Sequence, residues 1–339
     1  PQGKIATPHM DALAAKGMIF TDVHSSSSVC SPTRYGIMTG RYNWRTKLQS
    51  GVLGGLSPRL IEQGRLTTAQ LLKNQGYNTA CIGKWHLGMD WVKKEGKDVA
   101  ELNIESASQV HNVDYSLPIK NGPNSVGFDY YYGISASLDM VPYTFIENDH
   151  VAKLPSVEKE FPMFLGREKG KCRKGPAAPD FEVEDVLPTL TTKAIDFVKA
   201  RSVDAKAGKP FFVWYNSTRM HVWTRLAPQW EGKSGYGLYA DGMMEHDYHV
   251  GQLLDEVDKL GIADNTIVIY STDNGSQTNT YPDGGSEPFR GEKGSTWEGG
   301  FRVPALIRWP GVVQPGTVIN DIFSHQDWLP TLLTAAGEP

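Results

Sequence analysis

The chain of 339 residues carries 34 Lys plus Arg against 38 Asp plus Glu, a net charge of −4, with 40% apolar and 21% charged residues. This is globular composition; it excludes a disordered or collagen-like chain and leaves no bulk positive field for wrapping nucleic acid. No apolar run approaches the ~20 residues that span a bilayer, and three cysteines, Cys30, Cys81 and Cys172, are too few for a disulfide framework.

Thr7-Pro8 predicts a helix N-cap followed by Pro at the first helical position, with Gly17 closing that helix and Met18-Ile19-Phe20 forming a short buried strand. A second unit joins a helix from Thr67 to Asn74, a stop at Gly76 and a strand from Tyr77 to Ile82 that ends in Gly83. A third pairs the helical pattern from Leu190 to Lys206 with the apolar run Phe211-Phe212-Val213-Trp214-Tyr215. A fourth pairs a helix from Met243 to Leu260 with Thr266 to Tyr270. In that helix Val250, Leu253, Leu254 and Val257 recur at the spacing of one buried face. Val303 to Trp309 reads as one more strand and Trp328 to Ala336 as one more helix.

Helices alternating with short, continuously apolar strands predict an α/β fold whose mostly parallel central sheet is sandwiched by helices. The stretches Met89 to Val126 and Asn148 to Pro188 are polar and rich in Gly and Pro. They are too long for simple connections and read as insertions around a site or as surface loops. There is no internal repeat, so residues 1–339 read as one α/β domain with insertions.

Ligands of open α/β sheets gather beyond the carboxyl ends of the strands. Three predicted strands exit into polar clusters: Gly83-Lys84-Trp85-His86-Leu87-Gly88, Asn216-Ser217-Thr218-Arg219-Met220-His221 and Ser271-Thr272-Asp273-Asn274-Gly275. Singly, each has an ordinary reading. Asp-Asn-Gly is a common turn, Lys84 a solvated loop lysine, His86 a packed histidine. Together they describe a cationic pocket with hard oxygen ligands, suited to an anionic ester beside Ca²⁺ or Mg²⁺. A fourth cluster, Cys30-Ser31-Pro32-Thr33-Arg34, precedes a helix that Pro32 starts and Gly40 ends. Unsatisfied amides at such a helix start favour an anion.

Cys30-Ser31-Pro32-Thr33-Arg34 matches the Cys-x-Pro-x-Arg signature of the sulfatase family, and Gly40-Arg41 continues it. The segment Gly83 to Gly88 resembles that family's second signature. Asp273-Asn274-Gly275 and the stretch from Arg290 to Gly300 are similar to its later blocks. Four blocks in family order span most of the chain. The resemblance, to the arylsulfatase type of the alkaline-phosphatase-like superfamily, implies hydrolysis of sulfate esters, with a sulfated glycan as a plausible natural substrate. It implies that a formylglycine-generating enzyme oxidises Cys30 to formylglycine, whose hydrate binds Ca²⁺ with one oxygen and attacks sulfur with the other. Arg34 would support that group, Lys84 would neutralise the hydrate and sulfate, and His86 would take the hydrate's proton. His221 and Lys293 would face the bridging oxygen, where one donates as the alcohol leaves. Cys30 (as formylglycine), Asp273 and Asn274 would be metal ligands, with Mg²⁺ the second choice of ion, and Ser137 a looser match to a sulfate-contacting serine. No nucleic-acid or membrane partner is implied, and the family setting is periplasmic, extracellular or lysosome-like.

The resemblance also implies an Asp pair at the end of a first strand, upstream of the modified Cys. The 29 residues before Cys30 supply none, since Asp11 and Asp22 stand in the wrong context. The catalytic domain is therefore expected to be incomplete at its N-terminus, with a smaller C-terminal subdomain largely missing. Competing readings are a phosphodiesterase or phosphonate monoester hydrolase of the same superfamily, and a catalytically silent glycan-binding relative. Glu245-His246-Asp247-Tyr248-His249 has metal-site residue types but lies on an amphipathic helix, so a surface or helix-packing role is expected. The Asn216-Ser217-Thr218 and Asn274-Gly275-Ser276 glycosylation patterns read as fortuitous. Arg167 to Lys174, with five basic residues and one Glu, reads as a solvated loop.

Overall fold

Pro8 opens α1 (Pro8–Ala15) in the computed structural model, which describes residues 3–99, 101–165, 168–221, 225–277 and 288–338. Gly17 then lets the chain pass under the sheet, because a Cβ there would lie 2.2 Å from the Ile307 carbonyl oxygen. Strand β1 (Met18–His24) runs beyond the expected Phe20, since Val23 also points into the core after an irregularity in register. Helix α2 (Cys30–Thr39) spans the predicted residues and ends where Gly40 takes a left-handed φ of 63°. Helix α3 (Thr68–Asn74) is capped by Thr67, whose hydroxyl accepts the Gln70 N–H at 3.1 Å.

Strand β2 (Asn78–Lys84) is buried at every residue. It is followed by β3 (Tyr130–Ile134) and the short β4 (Ile146–Glu147) and β5 (His150–Val151). Next come two small antiparallel ladders, β6 (Val157–Lys159) with β9 (Gly175–Ala177), and β7 (Pro162–Leu165) with β8 (Glu168–Lys171). Helix α4 (Val186–Lys206) leads to β10 (Phe211–Asn216), and α5 (Leu238–Lys259) to β11 (Val268–Ser271). The one-turn α6 (Glu298–Phe301) leads into β12 (Arg302–Arg308), then β13 (Thr317–Ile319), β14 (Phe323–Ser324) and α7 (Trp328–Ala335).

The α/β reading holds, but the strands are divided between two five-stranded sheets. In one, β10, β2 and β3 are parallel, and β4 and β5 continue antiparallel. In the other, β12 lies antiparallel between β11 and β1, while β13 and β14 run parallel to β1. A strand covered on both faces is a continuous apolar run in either direction, so periodicity could not separate the two cases. Among the described residues β10 and β11 each have one strand partner. Both line a cavity of about 1330 Å³, walled also by Ile37 and Leu72 of α2 and α3 and by Val198 and Leu253 of α4 and α5. This is why Phe211 to Tyr215 and Val268 to Ser271 are only half-buried.

The two long irregular stretches are not surface loops. Met89, Trp91, Val113 and Ile119 join Leu53, Leu56 and Leu60 in one core, and Phe161 and Phe181 pack on Tyr143 in another. Their apolar residues recur at no helix or strand period, so the pattern concealed a packed layer.

Candidate active site

Three strand ends and one helix start build the site. Close approach of β10, β2 and β3 depends on two glycines. A Cβ on Gly83 would meet the Asn216 carbonyl at 2.0 Å, and one on Gly133 the Gly83 carbonyl at 1.8 Å. Lys84 ends β2 and is 4% exposed. Trp85 anchors the turn, donating from Nε1 to the Gly88 carbonyl and meeting Phe128 and Trp214 edge-on. His86 is buried with a left-handed φ of 55°, a conformation that costs a non-glycine residue energy and is common at functional sites. Its N–H donates to Ser135 O, and its Nε2 lies 2.8 Å from Leu53 O. A carbonyl only accepts, so Nε2 carries the hydrogen. Nδ1, buried without a protein partner, keeps the lone pair of the neutral ring. Burial, then Lys84, hold the His86 pKa well below the ordinary histidine value.

Cys30 opens α2, buried, and Arg34 follows one turn later. The Arg34 guanidinium donates through Nη1 to the Lys84 carbonyl at 2.7 Å, and through Nε and Nη2 to Asp273 Oδ2 at 3.1 and 3.0 Å. One side chain thus ties the Cys30 helix to the exits of β2 and β11. Burial pushes the Asp273 pKa up, but Arg34, Lys84 and Lys293 more than offset it and hold the carboxyl down at about 2. Asn274 Oδ1 is buried with no hydrogen-bond partner in the protein. The loop carrying Lys293 is pinned by Lys293 N–H to Ser276 O at 2.8 Å and Gly294 N–H to Ser28 O at 3.0 Å. Small residues make this possible, since a Cβ on Gly275 would sit 1.8 Å from the Gly299 carbonyl. His221 closes the ring: burial, then the charges of Lys293 and Lys84, hold its pKa well below the ordinary value.

The structure therefore brings Cys30, Arg34, Lys84, His86, His221, Asp273, Asn274 and Lys293 together. Ser137 is buried, its hydroxyl without a hydrogen-bond partner in the protein, two residues beyond Ser135, whose carbonyl accepts the His86 N–H at 2.9 Å. His325, which no sequence signal singled out, stands behind Asp273 and is hydrogen-bonded through Nε2 to the Ser271 hydroxyl at 3.0 Å.

Of the two roles expected for the α5 histidines, helix packing holds and surface exposure does not. Glu245 is 0%, His246 7% and His249 6% exposed. His246 spans the strand exits, 3.3 Å from both the Ser217 hydroxyl and the Tyr270 hydroxyl, so it is no bystander. Asn216 is buried, as a fortuitous glycosylation pattern requires. Of the basic stretch, Arg173 pairs with Asp139 and Lys174 with Glu158; Arg167 lies outside the described residues. Asp22, His24 and Glu298 form the one other metal-like group among the described residues, but the Arg302 guanidinium pairs with both of its carboxylates.

A family model described as Sulfatase matches residues 2–338. The chain is 30% identical to an N-acetylgalactosamine-6-O-sulfatase of Bacteroides thetaiotaomicron, over 99% of this chain and 69% of that protein. It is 34% identical to arylsulfatase A of Bos taurus, over 98% of this chain and 59% of that protein. A solved structure from work on glycosaminoglycan metabolism by Bacteroides thetaiotaomicron superposes with a TM-score of 0.81 at 28% identity, covering 99% of this chain and 73% of that one. The chain thus spans about three fifths to two thirds of these curated relatives' length. Together with the ordered motifs and their convergence on one pocket, these matches show that the chain belongs to the sulfatase family.

Proposed function

We propose that this protein hydrolyses sulfate esters, and that Cys30 becomes its nucleophile by conversion to formylglycine. The observation that carries the reading is the Arg34 clasp. It holds the Cys30 helix against Lys84 and an ionised Asp273 in a pocket with two lysines and two histidines held neutral. Formylglycine, made from Cys30 by a formylglycine-generating enzyme, would supply the attacking oxygen as its hydrate, and a Ca²⁺ ion would supply positive charge that eases that attack. Asp273, Asn274 and the residue at position 30 would hold the ion. Hard oxygens suit Ca²⁺, with Mg²⁺ second, and the orphaned Asn274 Oδ1 fits a metal-facing ligand.

The chain's own side chains do the rest. Lys84 and Lys293 neutralise the sulfuryl oxygens, the electrostatic work that dominates such reactions. His86, its lone pair on Nδ1, accepts the proton released when sulfate departs. Once the bound sulfate anion offsets the Lys293 and Lys84 charges that help keep His221 neutral, the protonated imidazole delivers its proton to the alcohol oxygen, with Lys293 beside it. The Asp pair that the family implies is not supplied by the described residues. β10 and β11, each with one strand partner among the described residues, border the cavity that Asp273 also lines. A glycan as the alcohol half draws support from the N-acetylgalactosamine-6-O-sulfatase relative.

The test is made on full-length protein produced alongside a formylglycine-generating enzyme. Mass spectrometry of the Cys30 peptide should show the aldehyde. A chromogenic aryl sulfate should turn over faster than an aryl phosphate diester. A chelator should remove activity and Ca²⁺ restore it. Exclusively free thiol in an active preparation, or preference for the diester, would overturn the assignment.

A further inference from the structure

His221 sits on a segment that α5 grips from both sides. Arg219, two residues earlier, has its guanidinium fully buried and donates through Nε and Nη2 to Glu245 Oε2 at 3.1 and 2.8 Å. The other oxygen of Glu245 accepts the Ala227 N–H at 3.3 Å, on the far side of His221. Beside it His246 holds the Ser217 hydroxyl, which in turn accepts the Arg219 N–H at 3.1 Å. One turn away, Gly242 faces the Met220 thioether, and a Cβ there would lie 3.1 Å from its terminal methyl. One buried carboxylate thus binds both Arg219 and Ala227, which flank the proposed acid in sequence. A charge so deep is costly unless it is paired, and replacement of such pairs by apolar residues is often neutral for stability.

We infer that Glu245 is a positioning residue: through Arg219 and the Ala227 amide it sets where His221 meets the oxygen of the departing alcohol. This rests on the proposed sulfate-ester hydrolysis. Misplacing an acid hurts most when the leaving group needs the proton most. A 4-nitrophenolate leaves nearly unaided, whereas a phenolate does not.

The experiment compares 4-nitrophenyl sulfate with phenyl sulfate on full-length, formylglycine-bearing protein, for the unaltered enzyme, Glu245→Gln, Glu245→Asp and Gly242→Ala, with thermal unfolding alongside. Gly242→Ala is the variant that should fold, because alanine is the better helix former and only side-chain ends, those of Met220 and Leu226 at 3.1 and 3.2 Å from the added Cβ, must yield by a few tenths of an ångström. Glu245→Gln and Gly242→Ala should lose about tenfold more kcat on phenyl sulfate than on 4-nitrophenyl sulfate. KM should change little, and Glu245→Asp should recover part of the loss. His221→Ala should show the same split at its fullest. Equal loss on both esters, or no loss in Gly242→Ala, would overturn the positioning role while leaving the sulfatase reading intact. An unaltered enzyme silent towards both esters would overturn that reading, and this inference with it.

Discussion

Lys84 shows what the site costs a single residue. Its ammonium is buried, and that burial lowers its pKa, with Arg34 adding to the effect and Asp273 opposing it. The fold therefore pays to keep the charge, as functional sites often do. Lys84→Met should lower turnover by ~10²-fold or more. Stability should hold or rise, because the Arg34 bond goes to the Lys84 carbonyl, which every substitution retains. Turnover read beside thermal unfolding checks this, and a marked drop in melting temperature would count against it. Cys30→Ala should abolish turnover, whereas Cys81→Ala, in a strand fully buried on both faces, should cost about 1–3 kcal/mol, mainly through packing, with loss of the Asn216 Nδ2 bond to Sγ. Cys30, Arg34, Lys84 and His86 were legible because each stands in a short local motif. Glu245 was not, since its partner Arg219 is 26 positions away and only the fold joins them.

At the scale of elements, α5 carries a pH dependence that its sequence concealed. Burial first, then the charge of Arg219, lowers the His246 pKa to about 4, and burial likewise lowers His249 to about 4. The unfolded chain titrates near 6.5, so between pH 6.5 and 4 it binds protons that the folded protein refuses. Stability should then fall as pH falls through that window, by up to about 1.4 kcal/mol per pH unit for each histidine. Melting temperatures from pH 7 to 4.5 check the slope, and the double change His246→Gln, His249→Gln should reduce it, leaving the share of His86, His221 and His325, whose pKa values burial also lowers. A slope unchanged in that variant would refute the assignment. Helix starts offer a second comparison. Thr67 caps α3 through its hydroxyl, whereas the Thr7 hydroxyl donates to Asp11 and caps nothing. Thr67→Ala should cost about 1 kcal/mol and Thr7→Ala clearly less, measured by denaturant unfolding.

Across the whole molecule, the dominant feature is the cavity between the two sheets. A strand paired on both sides protects its amides better than one with an open edge. Hydrogen exchange of the 339-residue chain should show β2 protected most, and residues 211–216 and 268–271 exchanging faster. If a further strand fills the cavity in full-length protein, all three should become similarly protected. Equal protection of β2 and β10 in the 339-residue chain would show that the edge is not open.

Whereas β3 to β9, β13, β14 and α6 left no legible pattern, the residues alone determined that β1, β2, β10, β11 and β12 and the longer helices form, where Gly40 and Pro8 punctuate them, and that Lys84, His86, His221, Asp273 and Asn274 follow strand ends. These are local facts, carried by periodicity, capping chemistry and short motifs. Tertiary structure decided that β12 runs antiparallel and that the strands form two sheets, because burial on both faces erases the sequence mark of direction. It decided that the long polar stretches are packed, since their apolar residues follow no period. It also decided that Glu245 and His246 lie beneath the site, because a helix face reads as solvent-exposed until the loop that covers it is known.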